Sequence, residues 1–436
     1  MPEPEPPWRL CTLMLALGWA LTFSCLTANA SAGNLAVKTL VPDLTHLHST
    51  VLACSTFANG LMNLALPHIF GRLGRWKAYI LGTLLGLMGS FLCFVALAWA
   101  RSLPLLLLGA ILLGCGLCFG ANYRFGVLLL GVPKAHAPVA ISWVLAGGVV
   151  GAVLGPEYAK HLKMAFAEFP FAGVYIGTAC AMGLHLLLLL AGARVLRFGG
   201  QNGTRTAEDL PPPPARPLRV VFSQPACWGA TMVASISYSV MVFLMSALPL
   251  SMGGGDAVTT DASAFTFAQT STVVQLHMVG MFAPSFVTGN VINALGCPKV
   301  MHIGASLFAV ACTIMISSRQ YAAYMFGQCI LGVGWNFCFI AASAALAKHA
   351  RPGTEAVRVQ SANDVAVFCS SGILSMLSAS ALGGVGWRGM QVVGIATAAL
   401  LMLMAYMTSR PVAPATTIAN TAVPAVAVED ETSARA

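Results

Sequence analysis

The chain has 436 residues, 57% of them apolar and only 8% charged, with a net charge of +9. Soluble domains carry roughly 25% charged residues, so this composition excludes a soluble globular fold and points to a membrane protein. The positive balance does not indicate a nucleic-acid partner, because the cations fall in short loops between apolar runs, as cytoplasmic loops of membrane proteins do.

A spanning helix needs about 20 mostly apolar residues. After a Pro/Glu-rich tail at 1–9, six such runs follow at 10–33, 46–67, 78–98, 104–130, 137–158 and 171–193. The first run competes with a cleaved signal peptide, since Ala28-Asn-Ala30 resembles a cleavage site, but the start is acidic and the run is long enough to span. The second run is expected to end at Pro67. A polar segment at 194–225, with five arginines and the run Pro211 to Pro214, reads as a cytoplasmic linker. Six more runs fall at 226–250, 268–294, 300–317, 321–347, 360–382 and 388–408, before a tail at 409–436 that is expected to be disordered. The fold expected is an all-α membrane protein of twelve transmembrane helices in two six-helix bundles, 10–193 and 226–408. With both termini in the cytoplasm, sixteen of the 23 cations lie inside and six outside, leaving Arg124 at the edge of the fourth run; this bias predicts N-in and C-in. The sequon at Asn202 then faces the cytoplasm, and the one at Asn29 lies too close to the bilayer to be modified. The thirteen cysteines are scattered, with no CxxC pair beside histidines, so no metal or cofactor is expected.

Motifs strengthen the two-bundle reading. Between the second and third runs stands Leu66-Pro-His-Ile-Phe-Gly-Arg-Leu-Gly-Arg-Trp-Lys77, a basic hinge. It resembles the G-x3-D-R-x-G-R-[RK] loop of the major facilitator superfamily: Arg72, Gly74 and Arg75 match, while Pro67 and Gly71 replace the leading glycine and the aspartate. Gly289 to Gly296 holds the same place in the second half, as an internal repeat requires. Longer strings are similar to a family of mostly uncharacterised bacterial permeases, some of them associated with riboflavin uptake. These are Phe119 to Phe125, Ala140 to Val150, Gly155-Pro156, Met281 to Gly289, Leu331 to Phe337 and Gln360 to Asp364. The resemblance implies a secondary transporter, a monomer, with a small-molecule substrate held at mid-depth between the halves; the cell membrane is its default location.

Polar residues inside spans are expensive in lipid unless they face a cavity or a partner. Depth along the helices singles out Asn59, Gln275, His277, Trp335 and Asn336 as the expected substrate site, with Thr22, Ser24 and Tyr238 weaker candidates. Gating or coupling is assigned to Arg72, Arg75, Arg124, Glu157, Asp364 and Asn363, with an Arg124–Asp364 pair as a hypothesis. Gly147, Gly148, Gly151, Gly155 and Pro156 form a small-residue stripe suited to close helix packing; the Gly155-Pro156 end also resembles an element of proton-coupled antiporters. No carboxylate lies at mid-depth, so coupling to a proton falls to His277 or Glu157, and facilitated diffusion is equally consistent. No paired-carboxylate, Ser/His or metal constellation suggests an enzyme. Three readings follow: a solute importer, a proton-coupled exporter, or a transport-dead sensor on the same scaffold.

Overall fold

The computed structural model describes residues 8–127, 130, 132, 137–194, 215–253, 265–351 and 354–409. The tail at 1–7, Lys134, most of the predicted linker with its sequon, and the tail from 410 lie outside the described residues.

The first half contains α1 (Trp8–Leu40), α2 (Thr50–Leu73), α3 (Arg75–Val95), α4 (Leu103–Ala121), the short α5 (Tyr123–Gly126), α6 (Ala137–Leu162) and α7 (Ala172–Ala191). The second contains the short α8 (Leu218–Phe222), α9 (Pro225–Ser251), α10 (Phe267–Phe282), α11 (Ser285–Leu295), α12 (Cys297–Ser317), α13 (Tyr321–His349) and α14 (Thr354–Thr408). Among the described residues nine helices are long and apolar enough to cross a membrane, or ten if the bent pair α10 and α11 is one span.

Local chemistry accounts for the helix ends. Ser102 caps α4 by accepting from the Leu105 N–H, and Thr266 and Gln269 form a reciprocal capping box at α10. Gly74 closes α2 and opens α3 at φ 74°, ψ 162°; Gly296 does the same between α11 and α12 at φ 83°, ψ 153°. A side chain is strained at that positive φ, so one turn built on glycine recurs in both halves.

Three expectations are corrected. α2 does not stop at Pro67 but runs through it to Leu73; a proline removes one backbone bond, which a membrane helix tolerates when neighbours compensate. The run at 268–294 is broken at Ala283-Pro284 and bends by 42°, because Pro284 cannot donate to the preceding turn. The run at 104–130 divides at Asn122 into α4 and α5. In α14, 55 helical residues are interrupted by Gly386 at φ 68°, ψ 176°; a straight helix of that length would measure about 80 Å, far beyond a hydrocarbon core of about 30 Å.

The surface carries large apolar side chains such as Leu64, Leu187 and Phe326, all more than 60% exposed, whereas Ser, Thr and Asn residues are buried between helices. That inversion is what lipid as solvent favours. α6 lies on α1 through the glycine stripe: a Cβ at Gly147 would collide with the Ala16 carbonyl, and one at Gly155 with Thr27 and the Ser24 carbonyl. Between the halves, α2 packs on α14, with Gly60 under Phe368 and Gly372 under Phe57, and α6 packs on α10.

Candidate substrate cavity

Where the halves face each other, aromatic rings from both line a cavity of about 80 Å³, part of it open to solvent. From α1, Trp19 and Phe23 sit 5.1 Å apart between ring centroids, and Phe23 meets Phe282 of α10 edge-on at 4.7 Å. Phe282 lies 6.2 Å from Trp335 of α13, which stacks on Phe339 at 4.9 Å and 13°. Tyr238 of α9 contacts Trp335, Phe339 and Phe368 edge-on at 5.2–5.6 Å. Ring faces and edges presented this way suit a flat aromatic guest.

The polar groups of the lining are the Asn59 amide from α2, the Arg124 guanidinium from α5, the Tyr238 hydroxyl and the indole N–H groups of Trp19 and Trp335. Arg124 lies within electrostatic reach of Asp364 and Tyr238 from the opposite half. Asp364 is 9% exposed and accepts from Gln360 Nε2 at 2.7 Å and Asn363 Nδ2 at 3.4 Å.

The structure gathers only part of the expected substrate site. Asn59 and Trp335 line the cavity; Gln275, His277 and Asn336 do not. His277 is fully buried against α13, its Nδ1 2.8 Å from the Gln328 carbonyl oxygen. It lies five residues before Phe282, about 140° round the helix from the residue that faces the cavity. Asn336 is directed at the α10–α11 break, donating to the Met281 carbonyl and Ser285 Oγ at 2.7 Å each. Gln275 Nε2 reaches across to the Val153 carbonyl of α6 at 2.9 Å and to Glu157 Oε2 at 3.5 Å. Glu157 is half-exposed, paired with Lys160 at 3.0 Å and beside His161 at 3.6 Å. Of the basic hinge, Arg72 is exposed and Arg75 lies 4.8 Å over the Phe70 ring. Asn29 is buried and accepts from Tyr175 Oη at 3.0 Å.

Residue-level reading of the sequence missed two features. It sought polar groups and so passed over Trp19, Phe23, Phe282, Phe339 and Phe368, which composition does not separate from lipid-facing rings. It also missed His185 of α7, buried at 1% exposure, with Tyr123 Oη 2.9 Å from Nε2 and the Thr22 and Thr83 hydroxyls 3.2 and 3.3 Å from Nδ1.

Hydrogen bonds between the halves cluster toward the end opposite the basic hinge. Asn34 Nδ2 donates to the Ser246 carbonyl at 2.7 Å, Ser49 Oγ to the Met376 carbonyl at 3.0 Å, and the Ala379 N–H to Ser49 Oγ at 3.4 Å. Lys163 lies 5.1 Å over the Phe267 ring in the same region. The cavity extends from Leu26 and Asn59 toward Arg124 and Phe282, away from this seam.

The proteins similar to this chain in sequence and in fold are transporters. The riboflavin transporter RfnT of Brucella anthropi is 29% identical over 367 residues, covering 83% of this chain and 86% of the relative. An uncharacterised MFS-type transporter of Bacillus subtilis, YddS, is 22% identical over 80% of each chain. Among solved structures, a POT family transporter in complex with 5-aminolevulinic acid superposes with a TM-score of 0.71 at 13% identity, covering 93% of this chain and 99% of the other. A D-xylose-proton symporter gives 0.68 at 12% identity, with 92% and 99% covered. No family model matches the chain. The relatives are transporters, two of them named as of the MFS type, and the chain shares the fold of the solved transporters; its long apolar helices are those of a multi-pass membrane protein.

Proposed function

We propose that this chain is a secondary transporter that takes up a small planar organic solute, with riboflavin the leading candidate, by alternating access. The observation that carries the reading is the aromatic cavity at the junction of the halves. The kinship to a riboflavin transporter supports the substrate. In this reading the chain is a monomer in the cell membrane with twelve spans and both ends in the cytoplasm. α10 with α11 forms one span and the two segments of α14 on either side of Gly386 form two. The closed seam is then extracytoplasmic, and the form described is closed to the outside.

One observation favours a second reading, proton-coupled export: the Asp364 carboxyl is nearly buried within reach of Arg124 across the halves. A single vesicle experiment separates the two. Labelled riboflavin is offered to vesicles carrying the wild-type chain, Trp335→Ala or Asp364→Asn, with and without an imposed proton gradient. Uptake by the wild type, reduced tenfold or more in Trp335→Ala at equal expression, supports the importer. Gradient-dependent efflux that Asp364→Asn abolishes supports the exporter. Wild-type uptake that Trp335→Ala leaves unchanged rules out this cavity as the route.

A further inference from the structure

A buried hydrogen-bonding group without a partner is costly, and a fold that retains several in one place has a use for them. Three surround the cavity. Trp19 Nε1, Asn59 Oδ1 and Trp335 Nε1 are sealed from solvent and unpartnered. Their residues are 8%, 4% and 5% exposed and all line the same space. Gly148 makes room for one of them: a Cβ there would come 2.9 Å from Trp19 Nε1 and 3.1 Å from the Phe282 ring. An indole N–H only donates and an amide oxygen only accepts. Beside the Arg124 guanidinium and the Tyr238 hydroxyl, the cavity therefore offers these two unpartnered donors and one unpartnered acceptor among aromatic walls.

We propose that Asn59, Trp19 and Trp335 read the edge of a flat heteroaromatic substrate, and that this edge is a cyclic imide, a ring N–H flanked by two carbonyls. The ring N–H donates to Asn59 Oδ1. The flanking carbonyls accept from the two indole N–H groups, while the ring packs among Phe282, Phe339 and Tyr238. A ring with a single carbonyl, or one whose N–H is blocked, leaves at least one of the three solvent-sealed atoms unpaired. That is the situation in which a missing hydrogen bond discriminates strongly. The inference rests on the transport reading only for the identity of the site: flavins carry an imide edge, and so do lumazines and xanthines.

The test is equilibrium binding to the purified full-length chain, read by tryptophan fluorescence and calorimetry. The probes are riboflavin, N3-methylriboflavin, lumazine and xanthine; the proteins are the wild type, Asn59→Leu, Trp19→Phe and Trp335→Phe. N3-methylation is expected to weaken binding of riboflavin to the wild type by about tenfold or more. Asn59→Leu is expected to bind the two flavins alike, and each Trp→Phe change to weaken riboflavin several-fold while preserving ring packing. Equal binding of both flavins to the wild type overturns the inference, as does an N3-methyl penalty that survives in Asn59→Leu. Binding of lumazine or xanthine without riboflavin supports the imide edge and overturns riboflavin as the substrate. A folded chain that binds none of the four overturns the imide edge, while uptake of other solutes by vesicles still decides the transport reading.

Discussion

Asn336 uses both ends of its amide at once. Nδ2 donates to the Met281 carbonyl and Ser285 Oγ, and Oδ1 lies 2.6 Å from Thr288 Oγ1. Pro284 leaves the preceding turn short of a donor, and Asn336 reaches from α13 to satisfy the break and fix the bend. Hydrogen bonds of this kind are worth about 0.6–2 kcal/mol in membrane bundles, so Asn336→Ala should lower stability by roughly 1–2 kcal/mol. The check is thermal unfolding in detergent beside ligand binding. A fall in the unfolding midpoint larger than any change in affinity marks a structural clamp; lost affinity at unchanged stability would restore it to the substrate site. The case shows which part of the site was legible. Depth along a helix follows from counting residues, and it singled out Asn59 and Trp335, which line the cavity. Direction around the helix follows from which neighbours pack on it, and a sequence whose spans are apolar on every side carries little amphipathic signal to reveal it. His277 and Asn336 face α13 and the α10–α11 break, away from the cavity lining.

At the scale of elements, the central segment is fastened to the second half by an ion pair. Glu355, 1% exposed at the start of α14, accepts from Arg216 Nη2 at 2.6 Å, Arg216 Nε at 3.1 Å and the Arg216 backbone N–H at 2.7 Å. The Arg351 N–H donates to it at 2.9 Å, and Arg216 Nη2 also reaches the His349 carbonyl at 2.8 Å. The carboxylate in turn holds the Arg216 guanidinium more firmly protonated than usual. One contact set thus ties α8, the end of α13 and the start of α14. Removing one partner of a buried pair costs about 3–5 kcal/mol; Arg216 keeps 22% of its side chain exposed, which puts the expected loss for Arg216→Ala near the low end, about 3 kcal/mol. Unfolding of Arg216→Ala, Glu355→Gln and the double variant checks it: coupled losses support the clasp, additive ones do not. Composition announced the helices and the break between halves, because apolar runs of bilayer length have one reading in lipid. The repeat was legible too, in Gly74 and Gly296, since a positive φ restricts the residue type. Arg216 was counted only as a linker cation, and Glu355 was passed over, because their meeting depends on how a chain 139 residues long folds back.

For the whole molecule, the proposed alternating access requires the two halves to part where they now touch. Within the described residues the hydrogen bonds between the halves include Asn34–Ser246, two contacts of Ser49 with Met376 and Ala379, and Gln275 with Val153 and Glu157. At about 0.6–2 kcal/mol apiece these bonds hold one end shut yet total only several kcal/mol. That suits a carrier whose two states must lie close enough in free energy to exchange, with a bound ligand tipping the balance. Fastening the seam should therefore stop turnover and spare binding. Ser49 and Ala379 face each other across it, with the Ser49 hydroxyl 3.4 Å from the Ala379 nitrogen, so Ser49→Cys with Ala379→Cys gives a pair that a short bis-methanethiosulfonate can bridge. The thirteen native cysteines are free and Cys180 is exposed, so the wild-type chain is treated in parallel. The expected outcome is loss of at least nine-tenths of vesicle uptake in the bridged double variant, recovery on reduction, and equilibrium binding from the opposite end within about twofold of the untreated protein, since a constraint that costs the bound state nothing leaves its affinity in place. Continued uptake by protein shown to be bridged would mean that the halves do not separate at this seam, and the route through the membrane would have to avoid it.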